Sequence, residues 1–311
     1  MRIIEILVTS KVGGDEGSSI ALRLWAVDKL LLFYTGAMGL LIAVYSRQIP
    51  YAKWLLLAHA AVMLLILVVA KKFSSQWSLL ARHWYPAFVI PAAYKEMSIL
   101  IPALRGMTMD GLLSRVDYSL WGVHPTVWLE RLQHPLLAEY FQIIYSLFMP
   151  AFLLVGAVYW LKRPLAEIRY YTFLIALGFL VSYIGYLLVP ARGPRFILNG
   201  LQHTELQGVW AFQWLRDTLD YLEGVHYDCF PSGHTQMTIL AWWNCQRLSK
   251  AAFYGFGFFT LSQIISTVYL RYHYTVDLIA GVGFALILLL ITPYIYAALD
   301  RNTHRADNAR S

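Results

Sequence analysis

Apolar residues fall along this chain in blocks of about 20, separated by short polar stretches. A helix of about 20 residues is long enough to cross the roughly 30 Å hydrocarbon core of a bilayer, because each residue adds about 1.5 Å. The pattern therefore predicts an all-α protein, a polytopic membrane helical bundle with about eight transmembrane helices. The predicted helices are residues 27–46, 54–70, 85–104, 139–161, 170–190, 234–249, 252–271 and 276–298.

The composition supports a membrane protein: 59% of the residues are hydrophobic and 14% are charged, whereas soluble domains are about half apolar and about a quarter charged. The net charge is +7, but no basic run typical of nucleic-acid binding is present, so no nucleic-acid partner is expected. Cys229 and Cys245 lie 16 residues apart on one predicted helix and turn. That spacing, about 24 Å along a helix, is too long for a disulfide.

Basic residues cluster in the second, fourth and sixth predicted loops and in the C-terminal tail. With eight spans, these four regions share one side of the membrane, and the positive-inside bias makes that side cytoplasmic. The fifth and seventh loops then lie together on the opposite face. The basic residues are Lys71, Lys72, Arg82, Lys162, Arg163, Arg169, Arg247, Lys250, Arg301, Arg305 and Arg310.

Two predicted outer loops, residues 105–138 and 191–233, are long and rich in aromatic residues. Trp and Tyr favour the headgroup level of a bilayer, so the sequence predicts amphipathic segments at the interface. Anchoring at the interface and a lid over a lipid headgroup both explain these segments. The aromatic residues concerned are Trp121, Trp128, Trp210, Trp214 and Tyr221.

Lys95 and Glu96 lie inside the third predicted helix. Ionisable groups at that depth are costly and usually face a partner or a polar cavity. They neutralise each other or neighbouring groups, or this helix is partly interfacial, or the two residues mark a transport pathway.

The first chemical motif is Ser232-Gly233-His234, which follows Pro231 at the start of a predicted helix. The first turn of a helix offers unpaired N–H groups and a partial positive charge, and both favour phosphate. A protonated His234 beside that anion site can donate a proton to a leaving oxygen. The same three residues also suit an ordinary helix cap and turn.

The second motif is His273 with Asp277, four residues apart and therefore on one face of a helix. A carboxylate beside an imidazole fixes its tautomer and stabilises the cation that forms when the other nitrogen attacks an electrophile. A surface pair and a metal site with His226 are the alternatives.

Pro231-Ser232-Gly233-His234 together with His273-x-x-x-Asp277 resembles the type 2 phosphatidic acid phosphatase (PAP2) superfamily, which shares its site with vanadium haloperoxidases. Within it, the chain is most similar to the Aur1-like branch, the inositol phosphorylceramide synthases and related bacterial proteins. The segment from Tyr272 to Asp277 is also similar to sphingomyelin synthases. Motif-level similarity covers about residues 185–282.

The resemblance implies a six-helix core with its site at the outer face. It implies that His273 is the nucleophile that forms a phosphohistidine, that Asp277 orients it, and that His234 is the general acid. Ser232 and Gly233 would bind phosphate. Neither a metal nor an organic cofactor is implied.

The chain departs from the family at two basic positions. The family has a lysine seven residues before an Arg-Pro pair, whereas Gly185 stands seven residues before Arg192 and Leu188 seven before Arg195. No Arg-Pro is present in that region. This departure and the one described next also occur in the Aur1-like and sphingomyelin-synthase-like branches, which are transferase-type relatives.

A second family arginine, next to the serine that matches Ser266, is replaced by Thr267. Arg192, Arg195 and Arg271 are therefore the candidate phosphate-binding residues.

We expect one integral membrane domain over residues 1–311. Its parts are N-terminal helices (1–104), an interfacial outer segment (105–138), a PAP2-like catalytic core (139–298) and a cytoplasmic tail (299–311).

The expected function is that of a lipid phosphatase or phosphotransferase. Its expected partners are the membrane, a lipid phosphate or phospholipid substrate and, for a transferase, an alcohol acceptor such as inositol. Short loops favour a bacterial inner membrane with the site facing the periplasm or exterior. A non-catalytic lipid transporter or scaffold is the rival hypothesis.

Overall fold

The computed structural model describes residues 24–71 and 76–308; of the basic residues used for orientation, Lys72 and Arg310 lie outside these ranges. The described chain is helical and contains no strand. The helices of nine or more residues are α1 (Ala26–Val44), α2 (Ala52–Lys71), α3 (Gln76–Trp84), α4 (Pro86–Leu104), α5 (Asp110–Trp121), α6 (Pro135–Ser146), α7 (Phe148–Lys162), α8 (Leu165–Leu188), α9 (Phe212–Glu223), α10 (Gly233–Cys245), α11 (Lys250–Tyr269) and α12 (Thr275–Asn308).

Six of the described helical segments are long and apolar enough to cross a membrane, and α6 with α7 adds a seventh if this pair, bent by 49°, forms one span. The fold class, a polytopic helical bundle, is confirmed. The six segments are Ala26–Val44, Ala52–Lys71, Leu80–Leu104, Leu165–Leu188, Lys250–Tyr269 and Thr275–Asp300.

The remaining predicted span, 234–249, corresponds to α10, which has only 13 residues. At about 1.5 Å per residue it is about 20 Å long, well short of a bilayer core of about 30 Å. It packs against α8, α11 and α12 and so lies inside the bundle. The Gln236 amide nitrogen finds a partner there, as burial away from water favours: it donates to the Gly178 carbonyl over 2.8 Å.

The bend between α6 and α7 has a local cause. Pro150, in the first turn of α7, has no N–H to donate to the carbonyl of Ser146, four residues earlier. The predicted single helix 139–161 is therefore two helices, with the break at Leu147.

Lys95 and Glu96 pair with different neighbours. The Lys95 ammonium donates to the Glu223 carbonyl over 2.8 Å. A carboxylate oxygen of Glu96 lies 3.5 Å from Nε2 of His59. Of the alternatives that the sequence left open, pairing with neighbouring groups describes the structure, and the two residues face different parts of it.

One end of the bundle gathers basic side chains. The Arg82 guanidinium lies 2.5 Å from the Asp28 carboxylate. Arg82 and Arg169 lie over the Trp25 ring, at 4.1 and 4.2 Å from its centre. The end of α3 and the start of α8 thus meet the start of α1, and Lys29 reaches the Leu299 carbonyl of α12 at the same end.

The opposite end carries α5, α9 and the loops between the outer ends of the long helices. The Met109 N–H donates to the Pro190 carbonyl over 2.7 Å, and the Trp121 indole donates to the Thr275 hydroxyl over 2.6 Å. Trp210, just before α9, and Tyr221, in its last turn, are 78% and 85% exposed, so large aromatic rings lie on the surface here.

Candidate active site

The two motifs meet at the end of the bundle opposite the basic side chains. His234 lies in the first turn of α10, and His273 lies in the turn between α11 and α12. The centres of their rings are 5.7 Å apart, at an interplanar angle of 65°. The Ser232 N–H donates to the Asp277 carbonyl over 3.1 Å, which ties the first motif to the second.

Ser232 caps α10. Its hydroxyl oxygen accepts from the Thr235 N–H over 3.3 Å, so the capping role that the sequence left open is present. Gly233 follows, and a Cβ at this position would overlap the Tyr186 hydroxyl. Glycine therefore allows the first turn of α10 to pack close to α8, with its free N–H groups beside His234.

His273 and Asp277 form a buried pair, 3% and 0% exposed. Nδ1 of His273 lies 3.5 Å from Oδ2 of Asp277. The same oxygen accepts from the Tyr274 N–H over 2.8 Å and from the Cys229 thiol over 2.8 Å. The other oxygen, Oδ1, has no hydrogen-bond partner within the described chain.

Aromatic rings hold His234 in place. Its ring stacks on Tyr145, with centres 4.4 Å apart, and lies 4.2 Å from the Phe148 ring on the α7 side of the bend. Tyr145 in turn stacks on Tyr272, with centres 4.3 Å apart. The bend between α6 and α7 is thus part of the site, a role that no local signal around residues 145–148 indicates.

Two of the three candidate arginines lie at the site. Arg192 and Arg195 line a small cavity with His273 and Cys229, which we call the phosphoryl pocket. The Arg195 guanidinium lies 4.8 Å from the centre of the Tyr272 ring. It also donates to Asp220 over 2.8 Å.

The structure does not bring Arg271 to the histidines. Its guanidinium donates to Glu130 over 2.9 Å, to the Thr204 carbonyl over 2.7 Å and to the Gln202 amide oxygen over 3.1 Å. The side chain is buried and joins the outer loops to one another. The sequence offered no signal for this, because the partners lie 67 to 141 residues away.

Asp110 positions the segment that carries the two pocket arginines. Its carboxylate accepts from the Arg192 and Gly193 N–H groups over 2.9 and 2.8 Å, and from the Tyr274 hydroxyl over 3.2 Å. Gly193 has φ +93°, and a Cβ there would lie 2.5 Å from the Tyr272 carbonyl oxygen. No short motif in the sequence marks Asp110, which lies within the segment 105–138.

A larger cavity of about 380 Å³, the headgroup cavity, opens beside His234. Its polar lining includes Lys95, Glu223 and Asp228, and Asp228 accepts from the Tyr94 hydroxyl over 2.6 Å. Tyr145, Glu223 and Asp228 also line the phosphoryl pocket, so the two spaces adjoin.

The headgroup cavity continues into an apolar groove of about 260 Å³ between α4, α7 and α8. Pro91, Met149 and Phe179 line both spaces. The groove extends to His83 and Trp84 at the end of α3, toward the basic end of the bundle. The groove and the headgroup cavity therefore form one continuous route, apolar along the groove and polar beside His234.

Cys229, His273 and Asp277 are the one group of described residues whose ligand atoms lie close enough to hold a metal ion, all within 4.8 Å of one another. Burial and then the Asp277 charge raise the pKa of the Cys229 thiol well above its usual value. A protonated thiol is a poor metal ligand and a hydrogen-bond donor, so the set fits a hydrogen-bonded network. His226, the extra ligand considered from sequence, lines the phosphoryl pocket but is not in this group.

The fold and the site define a polytopic membrane protein with two facing histidines, one in the first turn of the buried helix α10 and one in the turn before α12. Residues 112–291, more than half of the chain, match the family model of the PAP2 superfamily. The chain belongs to this superfamily, which generally comprises phosphatases and phosphotransferases. Neither a curated protein nor a solved structure matches the chain with significance. The resemblance is confirmed at the level of the superfamily, and the Aur1-like branch stays a prediction.

Proposed function

We propose that this protein cleaves or transfers a phosphoryl or phospho-alcohol group of a lipid through a phosphohistidine formed on His273. The observation that carries the proposal is the 5.7 Å between the ring centres of His234 and His273. At this spacing both rings are close enough to contact one phosphoryl group and its leaving oxygen, since reacting atoms approach to about 3–3.5 Å.

In the first step Nε2 of His273 attacks phosphorus, because Nδ1 faces Asp277. The P–N bond forms, the bond from phosphorus to the leaving oxygen breaks, and His234 donates a proton to that oxygen. The negative Asp277 stabilises the cationic ring. In the second step water or an alcohol attacks phosphorus, His234 takes its proton, and the P–N bond breaks.

Phosphoryl transfer depends mainly on positioning and charge neutralisation. Arg192 and Arg195 in the phosphoryl pocket supply positive charge. The free N–H groups after Ser232, in the first turn of α10, supply donors. Together they would bind the phosphate oxygens that do not leave.

A phospho-alcohol transferase is the second candidate. The headgroup cavity, at about 380 Å³, is far larger than a water molecule needs. Lys95, Glu223 and Asp228 give it hydrogen-bond donors and acceptors beyond His234. An alcohol such as inositol, or a lipid hydroxyl, could take the place of water there.

We propose a multi-pass protein of a bacterial inner (plasma) membrane, with the site facing the periplasm or exterior. The support is the gathering of Arg82 and Arg169 at the end of the bundle opposite the histidines. The domain division, with a catalytic core at 139–298 after the N-terminal helices 1–104, is part of the same proposal.

The test compares wild type with His273→Ala, His234→Ala and His203→Ala in lipid. His203 is an exposed histidine of the outer loops and serves as the matched control. Each protein receives lipid phosphates and phosphoinositides, with and without inositol, and mass spectrometry counts free phosphate and new phosphodiester lipids. Phosphate alone indicates a phosphatase, and a new phosphodiester indicates a transferase.

We expect His273→Ala to lose about 10³-fold or more of the turnover, because the nucleophile is gone. We expect His234→Ala to lose about 10²–10⁴-fold, because it removes the general acid. Undiminished turnover by His273→Ala would contradict the mechanism. Absence of product and of phosphate trapped on wild-type His273 would favour the non-catalytic transporter or scaffold.

A further inference from the structure

Cys229 contacts the reacting pair although neither the motifs nor the proposed reaction includes it. The side chain is 3% exposed. Its sulfur lies 2.8 Å from Oδ2 of Asp277, 3.6 Å from Nδ1 of His273 and 3.3 Å from the Tyr272 carbonyl oxygen. The thiol therefore lies against the side of the histidine that faces away from the attacking nitrogen.

The backbone fixes the position of this thiol. The Cys229 N–H donates to the Ala191 carbonyl over 3.1 Å, which joins the segment before α10 to the segment after α8. A Cβ on Gly193 would lie 3.3 Å from the sulfur, so that segment packs directly against it. The sulfur thus has little room to move away from Asp277.

The thiol acts as a donor to the carboxylate. Burial and the neighbouring Asp277 charge keep the proton on sulfur. Oδ2 of Asp277 receives this S–H and the Tyr274 N–H, each over 2.8 Å. Nδ1 of His273 lies farther away, at 3.5 Å, beyond the usual range of a hydrogen bond. The carboxylate is therefore held by Cys229 and Tyr274 rather than by the histidine.

We infer that Cys229 is a positioning residue for the reaction: its thiol holds the Asp277 carboxylate ionised and aimed at Nδ1 of His273. The inference rests on the proposed function. When His273 attacks phosphorus and its ring becomes cationic, the waiting carboxylate lies 3.5 Å from Nδ1, and a small approach of the two groups lets it accept the Nδ1–H.

Removing the thiol should weaken this arrangement in a specific way. Oδ1 of Asp277 already lacks a partner within the described chain. Loss of the S–H leaves Oδ2 with one donor fewer, and a buried ionised carboxylate with fewer donors costs more to maintain. The carboxylate would then take up a proton at a higher pH, and in that neutral form it no longer offers the negative charge that stabilises a cationic His273 ring.

The experiment measures kcat, KM and the pH dependence of kcat/KM for wild type, Cys229→Ala, Cys229→Ser and Cys245→Ala. Cys245 is the matched control, because it is also free and buried but lies at the far end of α10. Serine keeps a donor of similar size, whereas alanine removes it. Thermal unfolding of each purified protein reports whether the variant is folded.

We expect kcat of Cys229→Ala to fall about 10–100-fold with KM little changed, the loss typical for removal of a group that orients a functional histidine. We expect the acid limb of its kcat/KM profile to move to higher pH. Cys229→Ser should regain most of the rate and the wild-type limb, and Cys245→Ala should match wild type in both.

Two results would overturn this inference without affecting the proposed function. One is a folded Cys229→Ala with wild-type kcat and pH profile. The other is a folded Cys229→Ser as slow as Cys229→Ala, which would make packing the only role of Cys229. Failure of the proposed function has a different signature. Wild type would then form no phosphohistidine on His273 when quenched at alkaline pH during turnover, and the positioning role would fall with it.

Discussion

Glu223 lies at the border of the phosphoryl pocket and the headgroup cavity, which we expect to hold a phosphate ester. Burial and then the Asp228 charge raise its pKa to about 8, while Arg195 and Lys95 oppose the rise. Asp220 adds a further negative charge nearby. Below pH 8 the side chain is therefore mostly protonated, neutral and able to donate to a phosphate oxygen. Above pH 8 it is charged and repels the phosphate.

We predict that KM for a lipid phosphate rises roughly fivefold or more as the pH rises through 8, which corresponds to about 1 kcal/mol of like-charge repulsion. Glu223→Gln stays neutral at every pH, so its KM should be flat across that interval. Asp217→Asn, which changes an exposed carboxylate on the same helix, should behave as wild type. The measurement is KM from pH 6.5 to 9.5; a rise in Glu223→Gln equal to that of wild type would contradict the prediction.

Single residues show where sequence reasoning is sufficient and where it is not. Two short motifs are sufficient to identify His234, His273 and Asp277, because each motif places residue types of known chemistry at a fixed local spacing. The arginines could not be separated in that way. Arg271 donates to Glu130, a partner 141 residues distant in the sequence, and therefore does not reach the histidines. No pattern around residue 271 predicts that pairing.

At the scale of elements, the first turn of α10 carries the N–H groups that we propose to bind phosphate, and the same turn packs against α8. The close approach of α8 depends on the absence of a side chain at position 233, since a Cβ there would overlap the Tyr186 hydroxyl. Tyr186 is itself buried. It has little freedom to move away.

We predict that Gly233→Ala lowers turnover about 10-fold or more. Displacement of the first turn by a fraction of an ångström misaligns its N–H groups and His234 relative to the substrate. Thermal unfolding of the variant should also occur at a lower temperature. The matched control is Gly200→Ala, where nothing lies within 4 Å of the added Cβ. Full activity of Gly233→Ala would show that the contact is not required.

Two predicted spans differ from the observed helices for identifiable reasons. The predicted span 234–249 extends past Cys245 into the polar residues Gln246 and Arg247, but α10 ends at Cys245, and Ser249 caps α11 by accepting from the Ala252 N–H over 3.0 Å. The span 139–161 breaks because Pro150 cannot complete the helical hydrogen bonding. Periodicity reports which segments are apolar, whereas ends and bends depend on individual hydrogen bonds.

At the scale of the whole molecule, the headgroup cavity and the groove between α4, α7 and α8 form one route along the bundle. Met149 lines both spaces. An amphiphile could reach His234 from the side, with its chain in the groove and its phosphate in the outer pocket.

We predict that Met149→Trp reduces kcat/KM for a long-chain lipid phosphate about 10-fold or more, because the larger ring fills space that the chain needs. Turnover of a short, water-soluble phosphate ester should change much less. Leu154→Trp, on the same helix at a residue 66% exposed, should affect neither substrate. Equal losses on long and short substrates would show that the groove does not hold the chain.

The sequence by itself determined the membrane class, most of the spans, the end of the bundle that gathers basic residues, and the residue types of the two histidine motifs. These properties are local: an apolar block, a charged loop and a four-residue spacing each follow from neighbours in the chain. The tertiary structure alone decided that the motifs meet, that Cys229 supports Asp277, that Asp110 holds the arginine segment, and that Tyr145 and Phe148 enclose His234. Such contacts join segments tens of residues apart, and they depend on how helices pack and bend.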